Sequence, residues 1–328
     1  MIFTRRKPRA GQAVATIELY YASDVHGSEQ CWRKFLGAGR FYGVQALIMG
    51  GDLTGKAIVP IAESEDGWSA TFLGEKKTAT TQEQLEELLG AIRYNGMYPW
   101  VAPAAEIARH AADAGSRERL FDEVMLAELR RWIDLADERM PQYGIDVFVM
   151  AGNDDPWTCD DVIAAGRHVQ ACDDRVVRVG PHEMISCSYA NPTPWKSPRE
   201  LDEDALYRRI KALAEQLEDP ASAIFNLHVP PYDSGLDRAR KIRDDLTVVY
   251  EGGKPVEIPV GSTAVREIIE EYQPLLSLHG HIHESRGDAR IGRTLALNSG
   301  SEYNSGRIHG AVVKLSEAAV LSHQFTIG

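Results

Sequence analysis

Cysteine is scarce. The 328 residues hold four, Cys31, Cys159, Cys172 and Cys187, far apart and never paired as Cys-x-x-Cys. That spacing argues against a thiolate zinc cluster or a disulfide framework and points to reduced thiols in a cytoplasmic protein. No apolar run approaches the ~18 residues of a membrane span. Positive charge is in the minority: 36 Lys and Arg against 48 Asp and Glu give a formal net charge of −12. This disfavours broad electrostatic binding to nucleic acid or to an anionic membrane, although metal ions would bring their own positive charge to a local site. The opening "MIFTRRKPRAG" is basic, but Pro and Gly stand where a secretory leader needs an apolar stretch, so neither a signal peptide nor a twin-arginine signal is expected. Internal repeats and low-complexity tracts are missing too. What is left is a globular composition, 44% hydrophobic and 26% charged, with material for one large core.

Short apolar runs recur, each closed by polar residues or glycine. "ATIELYYAS" (Ala15–Ser23), "ALIMGG" (Ala46–Gly51), "DVFVMAGN" (Asp146–Asn153), "AIFNLH" (Ala223–His228), "LLSLHG" (Leu275–Gly280) and "TLALNSG" (Thr294–Gly300) read as strands. Several are apolar at consecutive positions, as strands covered on both faces are. "GAVVKL" and "AAVLSHQFTI" read as a closing hairpin. Between the strands, Leu85/Leu88/Leu89/Ile92, Phe121/Met125/Leu129/Trp132/Ile133, Leu206/Ile210/Leu213/Leu217 and Val265/Ile268/Ile269/Tyr272 recur at helical spacing, the last stopped by Pro274. Their plain meaning is core packing. Alternation of strands and helices predicts a layered α/β domain over residues 1–328. Residues 56–141 break the rhythm with a possible hairpin and two helices, and read as a helical cap inserted into that domain.

The strand ends carry the chemistry. In chain order they offer Asp24 and His26, Asp52, then Asn153, Asp154 and Asp155, then His228, then His281 and His283. In open α/β sheets ligands bind beyond the carboxyl ends of strands. Carboxylates, imidazoles and an amide oxygen gathered there form a mixed O/N set. Such a set suits Mn, Fe, Co, Ni or Zn, and is richer in nitrogen than Mg or Ca prefer. Asp52 is the natural bridge, because one carboxylate can hold two cations ~3.5–4 Å apart.

The ordered set D-x-H, G-D, G-N-x-[DE], H and G-H-x-H resembles the calcineurin-like metallophosphoesterases. Asp24-Val25-His26, Gly51-Asp52, Gly152-Asn153-Asp154-Asp155, His228 and Gly280-His281-Ile282-His283 match it, across most of the chain. The tail "LNSGSEYNSGRIHGAVVKL" and "NPTPW" (Asn191–Trp195) also look like the Icc-related bacterial and archaeal branch. The resemblance implies an α/β/β/α sandwich of four layers with two mixed sheets. It implies one metal held by Asp24, His26, Asp52 and His283 and another by Asp52, Asn153, His228 and His281, with manganese foremost. It further implies attack on phosphorus by a metal-bound hydroxide at this binuclear centre, with Asp52, Asn153, Asp154 and His228 serving catalysis.

This chain departs from the family at Asp154, where most members carry a histidine that helps protonate the leaving oxygen. An ionised carboxylate donates a proton less readily, and relatives without the histidine often favour diesters. The expected activity is therefore hydrolysis of a small phosphodiester. A phosphomonoesterase, a nucleotide pyrophosphatase and a non-catalytic protein-binding scaffold are the alternatives, and self-association into a homo-oligomer is open. A nuclease is disfavoured by the acidic charge.

Other polar residues have duller readings. His279 should face away from His281 and be packed or support a ligand. His110, His168, His182, His309 and His323 read as structural or surface residues. Asp155 either orients a ligand or caps the helix near Trp157. In "NPTPWKSPRE", Trp195 with Lys196 and Arg199 could stack a substrate, but a proline-rich loop with Trp195 packed on the core is favoured. Asn191 and Pro192 are rim candidates, and "SGSEY" (Ser299–Tyr303) either borders the site or is a turn.

Overall fold

The computed structural model describes residues 16–243 and 245–328; the basic opening stretch Met1–Gly11 lies outside them. The chain begins with β1 (Thr16–Ala22), α1 (Glu29–Tyr42) and β2 (Ala46–Met49). It continues through β3 (Ile58–Ser64), β4 (Gly67–Phe72), β5 (Glu75–Ala79), α2 (Gln82–Tyr94), β6 (Tyr98–Pro103), α3 (Ala104–Ala112) and α4 (Ala114–Arg139). Next come β7 (Asp146–Val149), α5 (Thr158–Ala164), β8 (Val169–Ala171), β9 (Val176–Val179), β10 (His182–Cys187), α6 (Glu203–Ala214) and β11 (Ile224–Leu227). Four short strands follow: β12 (Arg238–Arg240), β13 (Tyr250–Glu251), β14 (Lys254–Pro255) and β15 (Glu257–Pro259). The chain ends with α7 (Thr263–Tyr272), β16 (Leu276–His279), β17 (Gly287–Ile291), β18 (Thr294–Asn298), β19 (His309–Ser316) and β20 (Ala319–Ile327).

Two six-stranded sheets form the frame, ordered β20-β19-β1-β2-β7-β8 and β17-β18-β16-β11-β10-β9. Both are mixed: β1, β2 and β7 run parallel, as do β10, β11, β16 and β18, while β19 and β17 join antiparallel. Side chains alternate between faces along a strand, and here both faces are covered. Leu19 and Tyr21 of β1 point inward to a core shared with Met184, Ile224, Leu276 and Leu278 of the other sheet. Tyr20 and Ala22 point outward, under Trp32 and Phe35 of α1 and Trp132 of α4. On the far side Ile185, Phe225 and Leu227 meet α6 and α7. The consecutive apolar positions in the sequence are the record of these four layers. Helix α7 stops at Tyr272; Gln273 takes a left-handed conformation and Pro274 forbids another turn.

The segment between β2 and β7 is not helical throughout. Strands β5-β4-β3-β6 make a four-stranded sheet with α2, around a small core of Val59, Ile61, Phe72, Leu85, Leu88 and Ile92. The sequence suggested only one hairpin there, because "EKKTA" is almost all polar and "YPWVAP" carries two prolines, which hides the period-2 pattern. Helix α4, read as part of the insertion, packs its Met125/Leu129/Trp132 face on the main body, and Trp132 stacks on Trp32 with ring centroids 5.4 Å apart.

Candidate metal centre

The ends of β1, β2, β7, β11 and β16 converge on one hollow. Past β1 and β2 the backbones stay tied: Asp24 N–H donates to Gly51 O and His26 N–H to Asp52 O, both at 2.9 Å. Asp24, His26, Asp52 and His281 all adopt positive φ, at 59°, 38°, 51° and 64°. Such conformations cost non-glycine residues on the order of 1–3 kcal/mol each and persist only where surroundings over-determine them. Glycine is required beside them by close approach. A Cβ on Gly152 would lie 2.2 Å from Asp52 Oδ1, and one on Gly280 2.2 Å from Asp24 Oδ2.

Ligand atoms of Asp24, His26 and His283 lie within 4.8 Å of one another, as do those of Asp52, His228 and His281. A third group of this kind joins His26, Asp52 and Asp154. The His26 and His283 Nε2 atoms face each other at 3.1 Å, and His283 Nε2 is 3.5 Å from Asp24 Oδ1. On the other side His228 donates from Nδ1 to Gly50 O at 2.8 Å, which turns Nε2 inward. That atom is 2.9 Å from Asn153 Oδ1 and 3.4 Å from Asp52 Oδ2. The backbone N–H of His281 donates to both oxygens of Asp24, at 3.0 and 3.1 Å. All seven residues expected as ligands thus reach one place, and Asp52 touches both halves of it.

The charges there are strongly coupled. Burial favours a neutral Asp52, yet His228, His26 and His281 hold its carboxyl well below the usual range. Burial likewise opposes charge on His228, but Asp52 and Asp24 push it up to about 10. His281 is pushed down to about 4 by burial and by neighbouring His228. Two buried carboxylates with four inward ring nitrogens and an amide oxygen are a donor set that fits divalent cations. A pair of cations would let every histidine be neutral and both carboxylates ionised.

Asp154 is held from three sides. Its carboxylate pairs with the Lys56 ammonium and accepts from the Ser197 hydroxyl, while its N–H donates to Asp52 Oδ1 at 3.0 Å. Nothing in the sequence distinguished Lys56. Asp155 does not cap the helix near Trp157; it supports the candidate ligands through their backbone turns. Fully buried, it accepts from Leu53 N, Thr54 N, Thr54 Oγ1 and Gly152 N at 2.7–2.9 Å, and so bolts the Asp52 turn to the Asn153 turn. The sequence could have suggested this only through its carboxylate close to two glycine turns.

His279 is buried, with Nδ1 on Leu227 O and Val229 O at 2.8 and 3.1 Å and Nε2 on Ser277 Oγ; it packs between strands. His110, His168, His182, His309 and His323 join none of the three ligand groups. Tyr303 of "SGSEY" borders the site, its ring 4.6 Å from that of His26, and Ser301 Oγ donates to Asp24 O at 2.6 Å. The expectation for Trp195 is reversed. It is 67% exposed, while Arg199 is the buried residue, spent on Asp160, Asp173 and the carbonyls of Asp155 and Pro156. Trp195 instead lines a cavity of about 720 Å³ that also takes in the candidate ligands His26, Asp52, Asn153, His281 and His283.

No family model matches the chain. Among curated proteins, the uncharacterised MJ1162 of Methanocaldococcus jannaschii is 29% identical over 129 residues, 38% of this chain and 51% of that protein. The match therefore spans about half the length of that relative. The solved structure of TT1561 of Thermus thermophilus aligns over 96% of this chain and 99% of its own, at 12% identity and a TM-score of 0.52. A structure described as a novel archaeal phosphodiesterase aligns over 95% of this chain and all of its own, but at 10% identity and a TM-score of 0.34, too loose to carry an argument. The chain thus shares with TT1561 the architecture of two mixed sheets between helical layers. At these identities the structural likeness speaks to architecture alone.

Proposed function

We propose that this protein is a metal-dependent phosphoesterase that hydrolyses phosphodiesters at a pair of divalent transition-metal ions. The observation that carries this reading is the convergence of two carboxylates, four imidazoles and the Asn153 amide on one hollow at the floor of an open cavity. Asp24, His26, Asp52 and His283 would hold one ion, and Asp52, Asn153, His228 and His281 the other. When bound, such ions neutralise charge on phosphoryl oxygens and lower the pKa of water enough to supply hydroxide near neutral pH. Manganese is the proposed occupant and the cytoplasm the proposed compartment. No helix among the described residues is long and apolar enough to cross a membrane, and the four cysteines are buried and unpaired.

The remaining residues do the positioning. Asp155 fixes the distance between the Asp52 and Asn153 turns. Lys56, paired with Asp154, brings a cation beside the ligand set, where it can pair with a non-bridging phosphoryl oxygen. Preference for diesters is supported by Asp154 itself: both of its side-chain oxygens are engaged as acceptors, from Lys56 and Ser197. The test is hydrolysis of a bis-aryl and a mono-aryl phosphate by protein reconstituted with Mn(II), with Asp52→Asn as the inactive control. Bis-aryl hydrolysis should exceed mono-aryl hydrolysis. The reverse ratio overturns the diester preference, and failure with every divalent metal tried would return the chain to a scaffold.

A further inference from the structure

The cavity has two ends of different chemistry. One is the ligand set with Lys56. The other is an apolar wall contributed wholly by the second half of the chain: Pro192, Pro194 and Trp195 beyond β10, Tyr232 beyond β11, and Ile258 and Pro259 of β15. At about 720 Å³ the cavity is in the ~300–1,000 Å³ range of small-molecule sites, and far larger than one phosphoryl group requires. Trp195 and Tyr232 are 67% and 39% exposed, so neither residue is spent on the core. An indole left in water on a proline-stiffened loop sacrifices burial that the fold could have used. Its place on the wall of a cavity gives that exposure a use.

We infer that this wall receives a flat aromatic or heteroaromatic group esterified to the phosphorus, held against Trp195 and Tyr232, so that the substrate is a diester with one large planar ester group. The inference rests on the phosphoester reading of the metal end. A planar group is favoured over an acyl chain because the exposed elements are ring faces braced by proline, and a rigid ring stack recognises flat surfaces. Arg240 of β12, opposite Glu257 of β15, also lines the cavity and adds a planar cation to it.

Binding tests this separately from turnover. Three methylphosphonate monoesters carry the single charge of a diester but have poor leaving groups: the methyl, n-octyl and 2-naphthylmethyl esters. Each is titrated calorimetrically into the full chain supplied with Mn(II). The naphthylmethyl ester should bind the tightest. Trp195→Ala should weaken it about tenfold, within the range that base–aromatic stacking contributes by alanine substitution, and leave the methyl ester within twofold. Trp195→Phe should restore most of the loss. Equal affinities for octyl and naphthylmethyl esters, both weakened alike by Trp195→Ala, would convert the wall into an acyl site and overturn the inference. So would an unchanged naphthylmethyl affinity in Trp195→Ala. Absence of hydrolysis of any diester would instead refute the phosphoesterase reading, with these affinity ratios still deciding the aromatic subsite.

Discussion

Asp155 offers the sharpest test of how the centre is held. Its two oxygens accept four hydrogen bonds, from the peptide N–H groups of Leu53, Thr54 and Gly152 and from the Thr54 hydroxyl. Changing Asp155 to Asn keeps the volume but turns one accepting oxygen into a donor. With its N–H₂ turned to Leu53 and Gly152 two peptide donors are stranded; turned to Thr54, the hydroxyl can rotate to accept and only the Thr54 N–H is stranded. A buried donor without a partner costs about 1–3 kcal/mol, so the variant, taking the better orientation, should lose that much, a sizeable part of an ordinary domain's total stability. Urea unfolding in EDTA measures this without stabilisation from bound metal. Metal affinity should fall as well, because the Asp52 and Asn153 turns are no longer bolted together. Thr54→Val, which removes a single bond, sets the scale at about 1 kcal/mol. A loss below about 1 kcal/mol in Asp155→Asn, with metal affinity intact, would refute the clamp.

Three further outcomes follow from single contacts. Gly152→Ala places a methyl 2.2 Å from Asp52 Oδ1, so Mn(II) content after dialysis should drop while far-UV circular dichroism is retained. Trp132→Ala removes one ring of the Trp32 stack and should cost about 3–5 kcal/mol in urea unfolding, with turnover per folded molecule unchanged. Burial pushes the Asp173 carboxyl up to about 6 against the pull of Ser188 and Arg199. Because the folded pKa lies above the ordinary 3.8, the folded state binds the proton more tightly, and this group's contribution falls as pH rises from about 4 to 6. The span corresponds to about 3 kcal/mol at 1.36 kcal/mol per unit. Asp173→Asn should flatten the stability profile in that window, and an unchanged slope would contradict the shift.

The sequence displayed the layers more clearly than the insertion. Strands covered on both faces leave consecutive apolar residues, so β1, β2, β7, β11, β16 and β18 could be read directly. The carboxyl ends of five of those strands supply the candidate ligands. Of the sheet β3 to β6 only the β3–β4 hairpin could be read, because β5 and β6 spread their apolar residues thinly among Lys, Glu and Pro. The partners of individual side chains were hidden for another reason. Lys56 lies 98 positions from Asp154, and Asp155 about as far from Thr54. No local pattern announces a contact that only the assembled sheets create. Trp195 misled because a tryptophan is usually part of a core, and only the path of the proline loop shows that this one is not.

His26 and His283 are 257 residues apart, yet their ring nitrogens almost touch. Asp24, His26, Asp52 and Asn153 belong to one sheet, and His228, His281 and His283 to the other. Neither half of the polypeptide can assemble the full ligand set by itself. Capture of the proposed metal pair would thus be a late event on the way to the native state, after the two sheets have docked. Once bound, such ions would act as rivets across the docking plane. Uptake of metal during refolding would time the closure of that plane, independently of any reaction the protein performs.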